Sequence, residues 1–285
     1  MLNSKYLKDQ LGREIQFPFP PKKIISIVPS QTELLFDLGL ESEIIGITKF
    51  CIHPKEKVKG KIKVGGTKNL NIEKIKSLNP DLIIANKEEN EEQQIKELMK
   101  FFPVYISDIK TLNDAYEMIQ QVGEVVDRKS EAEIIIEEIK SSFSNPKLNN
   151  CHPEHFDKLS ASIIEGGNPK SSAYLIWNNP MMTIGSDTFI HAMLQAAGFK
   201  NVFANRNRYP ETSVEEIKKL KPEFLLLSSE PFPFNQKHVD ELQPQLSATK
   251  IMLVDGEMFS WYGSRLLKAP EYFFQLQKKY FTNQR

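Results

Sequence analysis

The sequence predicts an α/β protein of two Rossmann-like lobes with parallel sheets, joined by one long backbone helix. Three observations predict it. Short β-branched runs alternate with amphipathic stretches, the pattern of a parallel sheet with helices on its faces. A block of the first half returns, in the same order, in the second half. Between them, residues 112–143 contain no proline and carry apolar residues at helical spacing.

Taken in chain order, residues 1–21 read as an extended N-terminal segment. Asp9-Gln10-Leu11-Gly12-Arg13 is a turn between two short extended pieces, and Pro18, Pro20 and Pro21 stiffen the chain ahead of residue 24. Residues 24–28 (IISIV) are a buried strand ended by Pro29. Ser30 and Glu33 have capping-box spacing, which predicts a helix over 33–38 that Gly39 closes. Strands at 44–48, 82–85 and 104–107 alternate with helices at 72–78 and 91–102.

The internal echo is the most informative feature. Residues 72–84 (IEKIKSLNPDLII) return as 214–226 (VEEIKKLKPEFLL), with the aliphatic, Glu, Ile-Lys, Leu, Pro and acid positions in register. Upstream, Ser30-Gln31-Thr32, a helix and Gly39 correspond to Ser186-Asp187-Thr188, a helix and Gly198. The lobes are therefore expected at 22–108 and 157–262, with a connecting helix at 109–145 and a C-terminal helix in 263–285. A single connecting helix would be ~45 Å long, would brace both lobes and would allow little relative motion. The alternative is two helices, broken near Gly123 or at Arg128-Lys129-Ser130.

Composition excludes several function classes. In 285 residues, 37 Lys and Arg balance 37 Asp and Glu, so no global basic field collects nucleic acid or anionic lipid. The longest apolar runs fall far short of the ~20 residues that span a bilayer. Cys51 and Cys151 allow at most one internal disulfide. Lys5, Lys8, Asp9, Arg13 and Glu14 interrupt every apolar stretch near the start, so no secretory signal is read there: either the chain as encoded works in the cytoplasm, or its true start lies upstream. The phosphate-loop, dinucleotide-loop, nucleophile-elbow and zinc-protease signatures are all absent. Gly65-Gly66 and Gly166-Gly167 fit tight turns or close backbone approach to a ligand.

Aromatic residues carry the binding signal. Phe50, Trp177, Tyr209, Phe259, Trp261 and Tyr262 fall in loops after strands, where ligands of open parallel sheets collect. Rings there suit a large, flat, partly apolar ligand at about 0.5–1.5 kcal/mol per good stack; the plain alternative is that they plug a seam. Cys51-Ile52-His53 and Cys151-His152-Pro153-Glu154-His155 hold soft ligand types. Neither shows the second partner pair that a zinc site requires, so no metal site is assigned, and His53 is kept as a ligand-contact candidate. Glu73 and Glu215 occupy equivalent first-turn positions, which suits either the helix dipole or docking to a two-fold partner.

The runs Ile24-Ile25-Ser26-Ile27-Val28-Pro29-Ser30, Thr32-Glu33-Leu34-Leu35, Val64-Gly65-Gly66-Thr67, Asn71-Ile72-Glu73-Lys74-Ile75 and Pro80-Asp81-Leu82-Ile83 resemble the cobalamin and ferric-siderophore substrate-binding proteins of ABC importers. Within that family the chain is most similar to the periplasmic cobalamin-binding proteins, over residues 9–280. The resemblance implies the class III periplasmic-binding-protein fold, a rigid helical backbone, a ligand held between the lobes, an extracytoplasmic setting and delivery to a permease dimer. It implies docking through Glu73 and Glu215, and ligand contact at Phe50, Tyr209, Glu257, Phe259 and Trp261. Thr67 and Asn86 stand where the cobalamin binders carry tryptophans, and Trp261 would restore one lost ring.

The expected function is non-enzymatic: a monomer without resident cofactor that captures a corrinoid or related metal chelate for an ABC permease. A ferric siderophore or haem is the alternative within that class, served by Arg206, Arg208 and Arg265. A cytoplasmic tetrapyrrole chelatase, using His53 or His191, is the alternative from another class.

Overall fold

The computed structural model describes residues 4–144 and 169–281. Cys151, His152, His155, Gly166-Gly167 and the expected start of the second lobe at 157 lie outside the described residues. The chain divides into two compact units. The first comprises the residues up to Ile109, then Asn113–Glu138 and Tyr262–Arg265; the second takes Lys110–Leu112, Ile139–Trp261 and everything from Leu266.

The first unit opens with an antiparallel hairpin, β1 (Ser4–Lys8) and β2 (Glu14–Pro18). Asp9 at its turn is buried; its Oδ1 accepts the Leu11 and Arg13 backbone N–H groups at 3.0 Å, and its Oδ2 accepts the Ile106 N–H at 3.3 Å. The expected turn is thus also a fastening to the sheet. Next come β3 (Ile24–Ser26), α1 (Pro29–Asp37), β4 (Ile44–Ile47), α2 (Lys55–Val58), β5 (Ile62–Lys63), α3 (Ile72–Leu78), β6 (Leu82–Asn86), α4 (Glu92–Leu98), β7 (Val104–Ser107), α5 (Leu112–Val125) and α6 (Lys129–Ser144). The strands form one parallel sheet in the order β5-β4-β3-β6-β7. Leu82, Ile83, Ile84 and Ala85 are all fully buried, as a parallel strand covered on both faces demands.

The second unit contains β8 (Lys170–Leu175), the small hairpin β9 (Trp177–Asn178) and β10 (Met181–Met182), α7 (Phe189–Ala196), β11 (Phe199–Asn201), α8 (Val214–Leu220), β12 (Phe224–Ser228), α9 (Gln236–Leu242), β13 (Lys250–Val254), α10 (Glu257–Ser260) and α11 (Ala269–Tyr280). Its parallel sheet runs β11-β8-β12-β13. Matched in chain order, this is the same arrangement as β4-β3-β6-β7.

The sequence echo is a structural repeat down to its caps. Asn71 caps α3 by accepting the Lys74 N–H at 2.9 Å, and Ser213 caps α8 by accepting the Glu216 N–H at 3.2 Å. Both helices last seven residues and end on a left-handed residue, Asn79 (φ 46°) or Lys221 (φ 48°), ahead of Pro80 or Pro222. The acid after each proline then ties down the chain entering the first strand. Asp81 accepts the Lys22 and Lys23 N–H groups at 2.9 and 3.0 Å, and Glu223 accepts the Ser171 N–H at 2.9 Å. Gly39 (φ 83°) and Gly198 (φ 82°) end α1 and α7 in the conformation that disfavours any side chain.

Three expectations are corrected. Helix α1 begins at Pro29, a turn before the expected start at Glu33, because proline at the first helical position presets φ. Ser30 Oγ is buried and has no hydrogen-bond partner among the described residues, and Glu33 instead faces Arg265. Helix α4 ends at Leu98, where that residue's carbonyl takes the Phe101 and Phe102 N–H groups in a turn. The connecting segment is two helices: Asp127 turns left-handed (φ 60°) and the Arg128 N–H closes on the Gly123 carbonyl at 2.7 Å. A Cβ on Gly123 would stand 2.4 Å from Ala132 Cβ, so the glycine makes room for the first turn of α6. Tyr262–Arg265 belong to the first unit, so this segment of the second unit ends at Trp261, next to the expected lobe end at 262. Among the described residues, no helix is long and apolar enough to cross a membrane.

Candidate functional site

The loops beyond the carboxyl ends of each sheet are the places to look for binding chemistry. In the first unit, the loop after β4 presents Phe50, 51% exposed, with Lys49 Nζ 5.0 Å from its ring centroid. The ring lies against the loop after β5: a Cβ on Gly66 would stand 3.2 Å from Phe50 Cε2. Thr67 in that loop is half-buried, and its carbonyl accepts Asn90 Nδ2 at 3.2 Å. His53 is half-buried a few residues along.

Beneath these loops lies a buried network of neutral groups. Thr32 Oγ1 bonds Ser26 Oγ at 2.7 Å and the Val28 carbonyl at 2.8 Å. Cys51 Sγ sits 3.1 Å from Thr32 Oγ1 and 3.2 Å from Thr48 Oγ1. Cys51 is a free thiol, and burial pushes its ionisation up against the pull of those hydroxyls. Asn86 donates to Ser107 Oγ at 3.0 Å and accepts the Glu88 and Glu89 N–H groups at 2.8 and 3.0 Å. Gln31 donates to the same Ser107 hydroxyl. On the flank of this unit, Arg265 makes a two-pronged pair with Glu33, both bonds 2.8 Å and both side chains 7% exposed. Tyr262 OH donates to Glu89 at 2.6 Å.

The second unit carries rings and acids at the equivalent ends. Trp177, 39% exposed, meets Phe232 edge-on at 5.7 Å, and Phe232 meets Phe234 at 4.7 Å. Arg208 lies 5.8 Å from the centroid of the half-buried Tyr209. Glu230, just past β12, accepts Trp261 Nε1 at 2.9 Å and the Ser260 hydroxyl on the same oxygen. Burial raises its ionisation; the bonds from Ser260 and Trp261 oppose that, and the charges of Glu257 and Asp255 add to it.

Away from the strand ends, Glu73 and Glu215 are exposed in the first turns of α3 and α8. Glu73 pairs with Lys76 at 2.9 Å, and Lys76 also reaches Glu97 at 3.3 Å. Glu215's own backbone N–H, then the Ser213 hydroxyl, hold its carboxyl below the usual range. Among the described residues, no group of three or more His, Cys, Asp or Glu is placed to hold a metal ion.

A family model described as periplasmic binding protein matches residues 24–250. The chain belongs to the periplasmic binding protein family. Its similarity to an uncharacterized ABC transporter substrate-binding lipoprotein of Bacillus subtilis is 26% identity, covering 93% of this chain and 82% of that one. Its similarity to a vitamin B12-binding protein of Vibrio vulnificus is 27% identity, covering 88% of each. A solved periplasmic heme-binding protein from Pseudomonas aeruginosa superposes with a TM-score of 0.74 at 18% identity, covering 90% of this chain and 92% of that one.

Within this periplasmic binding protein framework, the residues expected at the site separate. Phe50, Thr67 and His53 fall on adjoining loops of the first unit; Trp177, Tyr209 and Glu257 lie on partly exposed surface of the second. Phe259 does not face a ligand: it is fully buried against Tyr174 at 5.3 Å and Phe273 at 5.0 Å, because α10 turns its side chain into the core. Trp261 is nearly buried and committed to Glu230, so its indole edge is a structural bond first. Asn86 is buried and fully engaged, not a substitute ligand contact. Of the three arginines named for an anionic ligand, Arg265 pairs with Glu33 and Arg206 with Glu216, while Arg208 lies beside the Tyr209 ring. His191 is half-buried, its basicity lowered by burial, and its ring lies 3.4 Å from Asn201, a packing role. Glu230 and Phe232 were not anticipated. The signal was present, since the repeat continued two residues past its strand puts Glu230 at the place of Glu88.

Proposed function

We propose that this chain is the substrate-binding component of an ABC importer and that it captures, without catalysis, a corrinoid or related metal chelate and hands it to a permease dimer. The observation that carries the reading is the duplicated docking element. Helices α3 and α8 have the same length, a side-chain cap and a left-handed exit, and each exposes a glutamate at its second position, Glu73 or Glu215. A permease of two like subunits would read Glu73 on one unit and Glu215 on the other with one type of basic pocket. The similar vitamin B12-binding and ABC substrate-binding relatives support the same role.

The ligand reading rests on the strand-end rings. Phe50 and Trp177 are large apolar side chains kept partly in solvent, the exposure that a flat macrocycle would cover. The candidate contacts on the first unit are Phe50, Thr67 and His53; those on the second are Trp177, Tyr209 and Glu257. An anionic siderophore or haem is the second reading, favoured by Arg208 beside Tyr209; the engagement of Arg206 and Arg265 weighs against it. Calorimetric titration with cyanocobalamin, cobinamide and haemin separates the two. The proposal expects heat and a thermal shift with the corrinoids; haemin alone would move the assignment to the second reading, and silence with all three would remove both.

A further inference from the structure

Glu230 has no part in the docking or ring chemistry described above, yet one turn of the second unit is organised around it. Two donors from that turn, the Ser260 hydroxyl and Trp261 Nε1, converge on its Oε1. At the turn's other end, Gly256 has no room for a side chain: a Cβ there would stand 2.4 Å from Ser228 Oγ and 2.6 Å from Glu230 Cγ. Ser228 fixes Glu230 in its turn. Its hydroxyl accepts the Glu230 N–H at 3.3 Å and the Tyr174 OH at 3.0 Å, and donates to the Glu230 carbonyl at 2.6 Å. The carboxylate is therefore anchored to the end of β12 and in turn anchors α10, on which Glu257 rides.

We propose that Glu230 is the positioning residue of the 256–261 turn, orienting Trp261 and Glu257 through bonds that its protonation weakens. The proposal rests on the reading that this turn serves the ligand, but its test needs no ligand. A carboxylate is the stronger acceptor for both donors, because charge-assisted hydrogen bonds are roughly twice as strong as neutral ones. The groups that act on it are Tyr174 from β8, Asp255 just past β13 and Glu257 in α10; Tyr272 from α11 stands against Asp255, its oxygen accepting the Asp255 N–H at 2.8 Å. Burial and the two neighbouring carboxylates favour the proton; the two hydrogen bonds resist it. Burial and like charge outweigh the two bonds, so the carboxyl takes up its proton above the ordinary range and acidification acts on Trp261.

The full chain has two tryptophans, so W177F leaves Trp261 as the sole indole reporter. A negative charge at the indole N–H stabilises the excited state, so protonating Glu230 shifts emission to the blue. Titrating the emission of W177F from neutral into acidic solution is expected to give that shift, with a midpoint above the ordinary carboxyl value of 4.5. W177F/E230Q keeps the shape of the side chain and is expected to lose the transition. W177F/S260A removes a bond that favours the ionised form, so its midpoint is expected to rise further. Emission that does not move, a transition that survives E230Q, or a midpoint indifferent to S260A would overturn the proposal. Corrinoid titration is read separately on the natural chain, since Trp177 is itself a proposed ligand contact: a natural chain that binds no corrinoid, with the transition present in W177F, loses the ligand reading and keeps the positioning role.

Discussion

The two units share a frame and differ at its rim. In both, the sheet order, the capped seven-residue helix, the left-handed exit and the acid that ties down the first strand coincide. Even the turn after β6 is repeated after β12. Asn86 accepts the Glu88 N–H and Ser228 accepts the Glu230 N–H, residue for residue in the repeat. Beyond that turn the units part. The first ends in a neutral, hydrogen-bonded network of Ser26, Gln31, Thr32, Asn86 and Ser107. The second ends in Glu230, Glu257, Asp255 and a group of rings. The frame is held by backbone geometry that either copy must satisfy, whereas the rim residues answer to whatever each copy touches.

The largest test of this contrast concerns the ion pairs. Arg265 and Glu33 are both buried, so R265A strands a desolvated carboxylate in the first unit and should cost about 3–5 kcal/mol in urea denaturation. R206A removes the pair with Glu216 in the second unit, where the side chains are 35% and 31% exposed, and should cost at most about 1 kcal/mol. Similar costs for the two would mean that the pairs play the same part and the contrast is wrong. A smaller effect tests the shared frame. G39A and G198A each force a side chain into the left-handed region and should cost about 1–2 kcal/mol apiece, equally in both units. Clearly unequal losses would break the likeness of the copies.

Much of the frame was legible in the sequence because its signals are local. Residues 72–78 and 104–107 match α3 and β7 to the residue, since β-branched runs, prolines and caps fix such elements from within. The break between α5 and α6 was visible only as an alternative, because aspartate, and not glycine, takes the left-handed position at 127. The site was less legible. Phe50 and Trp177 were found because a ring after a strand stands out, but Phe259 was misread because a four-residue helix offers no periodicity to separate its buried face. Arg265 looked available because its partner, Glu33, lies 232 residues away in the chain. Glu230 escaped notice because its meaning lies in donors about 30 residues further along.

The claim on which the account turns is that the two copies offer matching acidic contacts to one two-fold partner. Affinity of the full chain for its permease, reconstituted in lipid nanodiscs and measured for E73K, E215K and the double variant, tests it most directly. Each single reversal should weaken binding to a similar degree, and the double reversal should abolish it. A double variant that still binds as tightly as the natural chain would contradict the account.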